Sequence, residues 1–366
     1  MHSGPWSITR SMLHPSLRSG QAVARCTLHV GLLLLGLPGL PAAGQDPGLA
    51  RLEREIARLA PLAAGTVGVA AVHLETGREV YFNRAERFPM ASSYKVPIAV
   101  QLLTRVDGGE VRLDSLIALA PTDLHPGSGT LTELFDDPGV VLSLRNLLEL
   151  MLLISDNTAT DVVLRTAGGP SEVTGRMRAL GVEGVRVDRP TVELIGDWVG
   201  VEQIPPAQPN TARPFGDLFR QVPDSLRAAA ARRFNDDPRD TATPEGMARL
   251  LTRLWRREVL RPETSDLLLD IMLRSTTGTG RIRGLLPPET PVSHKTGTIG
   301  GTTNDVGIVT LPDSAGHVVT VVFVKGSERP VEERERAIAH IARAIHDYFL
   351  FSPVVPPPPA ASRRRR

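Results

Sequence analysis

Strand-forming runs stand at both ends of this chain with helical sequence between them, an order that requires the two ends to meet in one sheet. At the start, GTVGVAAVHLE (65–75) and REVYFN (78–83) flank the turn residues Thr76 and Gly77, a hairpin signal. At the far end, VSHKTGT (292–298), TNDVGIVTLP (303–312) and HVVTVVFVKGS (317–327) read as strands. Between them, residues 94–106, 142–154, 158–167 and 171–180 repeat apolar side chains at three- and four-residue spacing, as helices do. Thr243-Pro244-Glu245 opens another helix, with threonine as N-cap and proline in the first turn. An amphipathic pattern over 47–60, through Leu49, Leu52, Ile56 and Leu59, and a long one over 331–350 add a helix at each end. The expected fold is mixed α/β of the α+β kind. An antiparallel sheet formed by the N- and C-terminal strands carries packed helices, a mostly helical subdomain is inserted, and a cleft forms where the two parts meet.

The first 44 residues contain no acid, three arginines (Arg10, Arg18, Arg25), an apolar run over 28–40 and the small residues Ala42-Ala43-Gly44. That is the layout of a cleavable signal peptide. The run is shorter than the roughly 20 apolar residues that span a bilayer, and Pro38 interrupts it. Residues 1–44 are therefore expected to direct export, periplasmic or secreted, leaving no membrane span after cleavage. The catalytic domain is expected over 45–351, and 352–366, with the run PPPPAASRRRR, is expected to form a disordered tail. The one cysteine, Cys26, goes with the signal, which excludes thiol nucleophiles, disulfides and thiolate metal sites from the mature chain. Removing the signal also takes 42 − 3 = 39 basic residues against 40 acids, a net charge of −1. The basic character of the whole sequence thus implies no nucleic-acid partner. A Pro-, Gln-, Asn- and Gly-rich stretch between 195 and 233 (EQIPPAQPNTARPFGD at its centre) exceeds ordinary loop length and reads as a functional loop.

Ser92-Ser93-Tyr94-Lys95 places a hydroxyl and an amine three residues apart, on one face of a helix. A free lysine, with pKa about 10.4, is a poor base, so the site must lower it by burial or by a second cation. Only three lysines occur (Lys95, Lys295, Lys325), arginine serving elsewhere. Because arginine cannot lose its proton in a protein, lysine at 95 points to deprotonation chemistry. Ser155-Asp156-Asn157 follows an apolar helix, and alone it reads as a helix cap. Lys295-Thr296-Gly297-Thr298 lies on a strand pattern and offers a cation, two hydroxyls and a glycine that lets a ligand approach the backbone.

Together these three motifs stand in the order of the S-x-x-K, S-D-N and K-T-G set of penicillin-recognising serine enzymes. Over roughly 50–350 the chain resembles class A β-lactamases, through FPMASSYKVPIAV, LLISDNTATDVVL, RDTATPEGMARLL, RIRGLLPPETPVSHKTGTIGG and TNDVGIVTLP. The resemblance implies Ser92 as the acylated nucleophile, Lys95 as its activating partner and Ser155 as proton relay to the departing lactam nitrogen. It implies Asn157, Lys295, Thr296, Gly297 and Thr298 as substrate-binding residues, Lys295 attracting the substrate carboxylate. The backbone N–H groups of Ser92 and Thr298 would form the oxyanion hole. The implied substrate is a small-molecule β-lactam, with peptidoglycan peptides as a further candidate, and no metal or cofactor is called for.

The chain departs from the family in VDRPTVELIGDW (187–198). Thr191 stands where the family has the glutamate that activates the deacylating water, and Ile195 where it has an asparagine. Glu193 is the expected substitute base, with Glu202 a weaker one. His125, in DLHPGSG, is a candidate for the cleft rim. His294 occupies no catalytic motif position, Lys325 is expected to be a solvated charge, and Asn304 and Asp305 are expected to steady the sheet near the site. The alternatives to a β-lactamase are a penicillin-binding protein or D-alanyl-D-alanine carboxypeptidase-like enzyme that deacylates slowly, and a β-lactam sensor that is only acylated.

Overall fold

The computed structural model of the chain describes residues 46–124, 127–135, 139–201, 218 and 220–352. The expected signal, most of the expected tail, His125 and Glu202 lie outside them.

The two ends do meet in one sheet. Strands β1 (Thr66–His73) and β2 (Glu79–Phe82) from the start join β7 (Val292–Ile299), β8 (Thr302–Thr310) and β9 (His317–Lys325) in the order β2-β1-β9-β8-β7. Every neighbouring pair is antiparallel, with Val69 opposite both Phe82 and Val322, and Asp305 opposite both Val322 and Thr296. Side chains alternate faces along each strand. Ala70, Val72, Val306, Ile308, Val319, Val321 and Phe323 join one buried cluster, and Val67, Val69, Ala71, Val318, Val322 and Val324 join another. Both faces are covered, so the strands read as near-continuous valine runs.

The second cluster is closed by α1 (Pro47–Leu59), through Leu52, Ile56 and Leu59, and by the last helix, α11 (Val331–Phe351), through Ile338, Ile341, Ile345 and Phe349. Asp46 caps α1 by accepting from Gly48 N at 2.8 Å, and Pro47 holds the first helical position. The first cluster fills the space between the sheet and the helical part: α2 (Lys95–Asp107), α4 (Leu144–Leu153), α5 (Asn157–Thr166) and α6 (Pro170–Ala179), with α9 (Pro244–Trp255) and α10 (Pro262–Leu273) bridging the two. Thr243 caps α9 as expected, accepting from Gly246 N at 3.0 Å.

Three sequence expectations shift. Residues 91–94 form a 3-10 turn ahead of α2, so Ser92 precedes the α-helix and Lys95 begins it. Residues 141–143 form a short strand paired with Leu116–Ala118, because Val141 and Leu142 are β-formers and Ser143 caps α4. The long stretch after 190 is partly helical, containing α7 (Thr191–Val199) and α8 (Asp224–Asp236). Among the described residues no helix is long and apolar enough to cross a membrane.

Candidate active site

Ser92 lies on the 3-10 turn Ala91–Tyr94, entered through Ala91 at φ 45°, a left-handed conformation costly for alanine. Neighbouring strands hold it there. The side-chain amide of Asn304 on β8 donates to Pro89 O (2.9 Å) and Met90 O (3.0 Å), and Ser93 Oγ donates to Met90 O (2.7 Å). Strand β7 presses against the same turn: a Cβ on Gly297 would sit 2.5 Å from Met90 O and 3.0 Å from Ser92 N. Only glycine fits. Positions three apart eclipse in a 3-10 turn, which brings Lys95 to the side of Ser92.

Lys95 is fully buried. Its Nζ lies 2.7 Å from Ser155 O, 3.0 Å from Ser155 Oγ and 3.0 Å from Asn157 Oδ1. Burial pushes the amine down to about 7, with Asp156 and Asp161 pulling the other way. Lys295, equally buried, donates to Ser155 Oγ at 3.1 Å and to Thr296 O at 2.9 Å. Burial holds it well below the ordinary lysine value, and Lys95 and Arg281 push in the same direction. Two amines therefore flank one hydroxyl. Ser155 is at φ 63° because the chain reverses there between α4 and α5. Asp156 caps α5 by accepting from Ala159 N (2.8 Å), and it also accepts from Thr130 N (2.8 Å) and Leu131 N (2.9 Å). The cap and the functional reading of this turn are the same structure.

On β7, Thr296 Oγ1 lies 2.7 Å from Thr277 Oγ1, and Thr298 Oγ1 accepts from Arg281 Nη2 at 2.6 Å. Sequence reasoning missed Arg281. It is 5% exposed, donates also to Gly297 O (3.1 Å) and Asn304 O (2.8 Å), and is paired with Glu335 at 2.9 Å. Arginine is this chain's default cation, so nothing in the sequence marks this one.

These elements meet at a cavity of about 380 Å³. Ser92, Tyr94, Asn157 and Thr298 line it from the motifs, and Ile299 and Gly300 extend β7 along its edge. Helix α7 supplies Thr191, Leu194, Ile195 and Trp198, the i, i+3, i+4, i+7 face of a helix. Glu193, two positions on from Thr191, falls about 200° round the helix at 100° per residue and is exposed. The structure does not place it among the residues that line the cavity. Thr191 fills the place instead: its Oγ1 lies 2.5 Å from the Tyr94 hydroxyl, and Asp161 accepts from Thr191 N (2.6 Å) and Val192 N (3.1 Å).

The remaining candidates fall outside this wall. His294 is buried, its Nδ1 2.8 Å from Asp305 Oδ1. Lys325 is not a solvated charge: its Nζ donates to Glu86 Oε1 (2.5 Å) and Arg87 O (2.7 Å), leaving its side chain 15% exposed.

A serine and a buried lysine, seated where an antiparallel sheet meets a helical lobe, with a serine turn and a lysine-bearing strand closing the pocket, define the penicillin-recognising serine hydrolases. The chain belongs to the β-lactamase enzyme family, whose model matches residues 51–349, and within it to the class A serine enzymes. It is 28% identical to β-lactamase VEB-1 of Pseudomonas aeruginosa over 78% of this chain and 85% of that protein. It is 29% identical to the carbapenem-hydrolyzing β-lactamase KPC of Klebsiella oxytoca, over 87% and 96%. Among solved structures, a β-lactamase from Chitinophaga pinensis superposes with a TM-score of 0.68 at 30% identity, covering 81% of this chain and 98% of that one. An ancestral class A β-lactamase superposes with a TM-score of 0.66, also at 30%, covering 81% and 99%.

Proposed function

We propose that this chain is a β-lactamase that opens β-lactam rings through an ester on Ser92 and hydrolyses that ester, an antibiotic-resistance activity. The observation that carries this reading is the Lys95–Ser155–Lys295 arrangement, with Lys95 three positions after Ser92 in the same turn. Lys95, with its affinity for protons reduced by burial, takes the Ser92 proton as the hydroxyl attacks the lactam carbonyl. Ser155, 3.0 Å from Lys95 Nζ, passes that proton to the lactam nitrogen. The backbone N–H groups of Ser92 and Thr298 receive the oxyanion. Asn157 binds the substrate amide and fixes Lys95, while Lys295, Thr296, Gly297 and Thr298 receive the substrate carboxylate, which supplies a counter-charge to buried Lys295. Arg281 joins this group through Thr298.

The relatives named above are β-lactamases, which disfavours the slowly deacylating penicillin-binding reading and the sensor reading. Peptidoglycan peptides, being acyl-D-alanine amides of similar shape, are a secondary substrate class. Residues 1–44 act as a signal that exports the domain 45–351, followed by the tail 352–366.

The test is turnover. The purified chain is expected to hydrolyse a chromogenic cephalosporin and benzylpenicillin over many cycles, and Ser92→Ala to abolish it. A single stoichiometric burst with no further turnover would return the penicillin-binding reading, and an unmodified Ser92 would dismiss both.

A further inference from the structure

Hydrolysis needs a group to take a proton from water, and no carboxylate lines the cavity among the described residues. Among the polar side chains that line it, two hydroxyls are joined to each other. Tyr94, two positions after the nucleophile in the same 3-10 turn, meets Thr191 of α7 at 2.5 Å, and the two side chains are 1% and 5% exposed. Asp161 fixes Thr191 by accepting from the first two backbone N–H groups of α7, so the pair is built in rather than incidental. Leu194, Ile195 and Trp198 line the rest of the α7 face, and the pair offers two oxygens to a water entering the cavity.

We propose that the Tyr94–Thr191 hydroxyl pair holds the hydrolytic water against the Ser92 ester, and that the Lys95 amine takes its proton, so that one base serves both halves of the reaction. This rests on the reading that Ser92 is acylated by a β-lactam. Neither hydroxyl can be the base itself, since burial pushes the Tyr94 phenol well above its ordinary value and an alcohol is weaker still as an acid. Lys95 is left ready by acylation: once the proton has moved through Ser155 Oγ to the lactam nitrogen, the amine is neutral again. Water then attacks the ester carbonyl and one of its protons passes to Lys95 Nζ. The tetrahedral intermediate collapses with cleavage of the bond from the carbonyl carbon to Ser92 Oγ. The Lys95 ammonium returns the proton to that oxygen, and the product leaves as a free acid with the serine restored. The charges facing Lys95 are Asp156 at the N-cap of α5, Asp161 within α5 and Lys295 from β7 across Ser155 Oγ, and Tyr94 precedes it in the chain. Tyr94 and Thr191 are positioning residues, acting through the water.

The experiment is pre-steady-state kinetics on the full chain with a chromogenic cephalosporin, which separates ester formation from ester breakdown, with intact-mass detection of the ester. Thr191→Val is expected to leave formation within about twofold and to slow breakdown at least about tenfold, so that the ester accumulates; Thr191→Ser is expected to restore breakdown. Tyr94→Phe is expected to follow Thr191→Val. In the unsubstituted chain, breakdown is expected to rise about tenfold per pH unit up to a plateau just above pH 7. A breakdown limb in the carboxylate range near pH 4–5, slowed breakdown in Glu193→Gln, or full breakdown in Thr191→Val would each overturn the proposal while leaving Ser92 acylation intact. Absence of any ester on Ser92, even transiently, would overturn the acylation reading and this one with it.

Discussion

Lys95 works only in the state that burial imposes on it. The amine must be unprotonated to accept from Ser92, and burial brings it down to about 7 against the pull of Asp156 and Asp161. Ester formation, reported by kcat/KM, is therefore expected to fall about tenfold per pH unit below pH 7 and to be flat above it until the enzyme unfolds. A profile flat down to pH 5 would show that a carboxylate, and not this amine, activates the serine. The same shift has a sign in stability. Between about pH 7 and the ordinary lysine value near 10.4 the unfolded chain holds a proton that the folded chain does not, so stability rises with pH across that window. The penalty of burying the charged amine is full below it and absent above it. Lysine scarcity made this residue legible in the sequence, and the K-T-G strand motif found Lys295. Neither signal served for Arg281, one arginine among many, or for Tyr94, whose partner is 97 positions away.

Helix α7 sets which side chains of 191–199 reach the cavity. Reading 187–198 as a pliable loop leaves any nearby carboxylate free to swing in, which favours Glu193. A helix removes that freedom, because its period puts Thr191, Leu194, Ile195 and Trp198 on the cavity and Glu193 away from it. The segment is tied down at its base. Arg189 Nε meets Asp240 Oδ2 at 2.6 Å, both side chains almost fully buried, and Asp240 also accepts from Asp188 N (2.7 Å) and Arg189 N (3.1 Å). Burial pushes the Asp240 carboxyl up, and the guanidinium opposes it. Asp237 (3.2 Å) and Asp197 (2.5 Å) complete the shell around Arg189. Removing the cation strands a buried carboxylate, so Arg189→Ala is expected to cost about 3–5 kcal/mol of unfolding free energy in urea, and Arg189→Lys to recover only part, lacking the fork geometry. A loss under about 1 kcal/mol would mean that α7 is held by its apolar face alone. None of this network was legible beforehand, since its members are spread from 188 to 240 and carry no motif.

The molecule as a whole is arranged so that its two ends support the pocket from behind. The sheet was readable from pattern because strands at both termini have no other partner within reach, and the helical lobe from its three- and four-residue spacing. The insertion after 199 was not, since its Pro-, Gln-, Asn- and Gly-rich centre dominated the reading although the Ala- and Arg-rich 224–236 forms α8. The closure of the ends depends on a contact that composition hides. Asp46 caps α1 through Gly48 N and accepts from the Tyr348 hydroxyl of α11 at 3.0 Å, joining the first helix to the last. The Gly48 contact is the main cause of its carboxyl lying below the ordinary value, with Tyr348 and Arg78 contributing, so this stabilisation is present above about pH 4 and is lost as pH falls through the folded value. Asp46→Ala is expected to destabilise the chain by about 1 kcal/mol, lowering Tm by about 2 °C in calorimetry, whereas Asp46→Asn keeps an effective cap and loses less. Amide exchange should quicken first in α1. Equal Tm values for all three chains would show that the sheet and the α1–α11 apolar face close the molecule without this link, and that processing anywhere near residue 46 is without structural consequence.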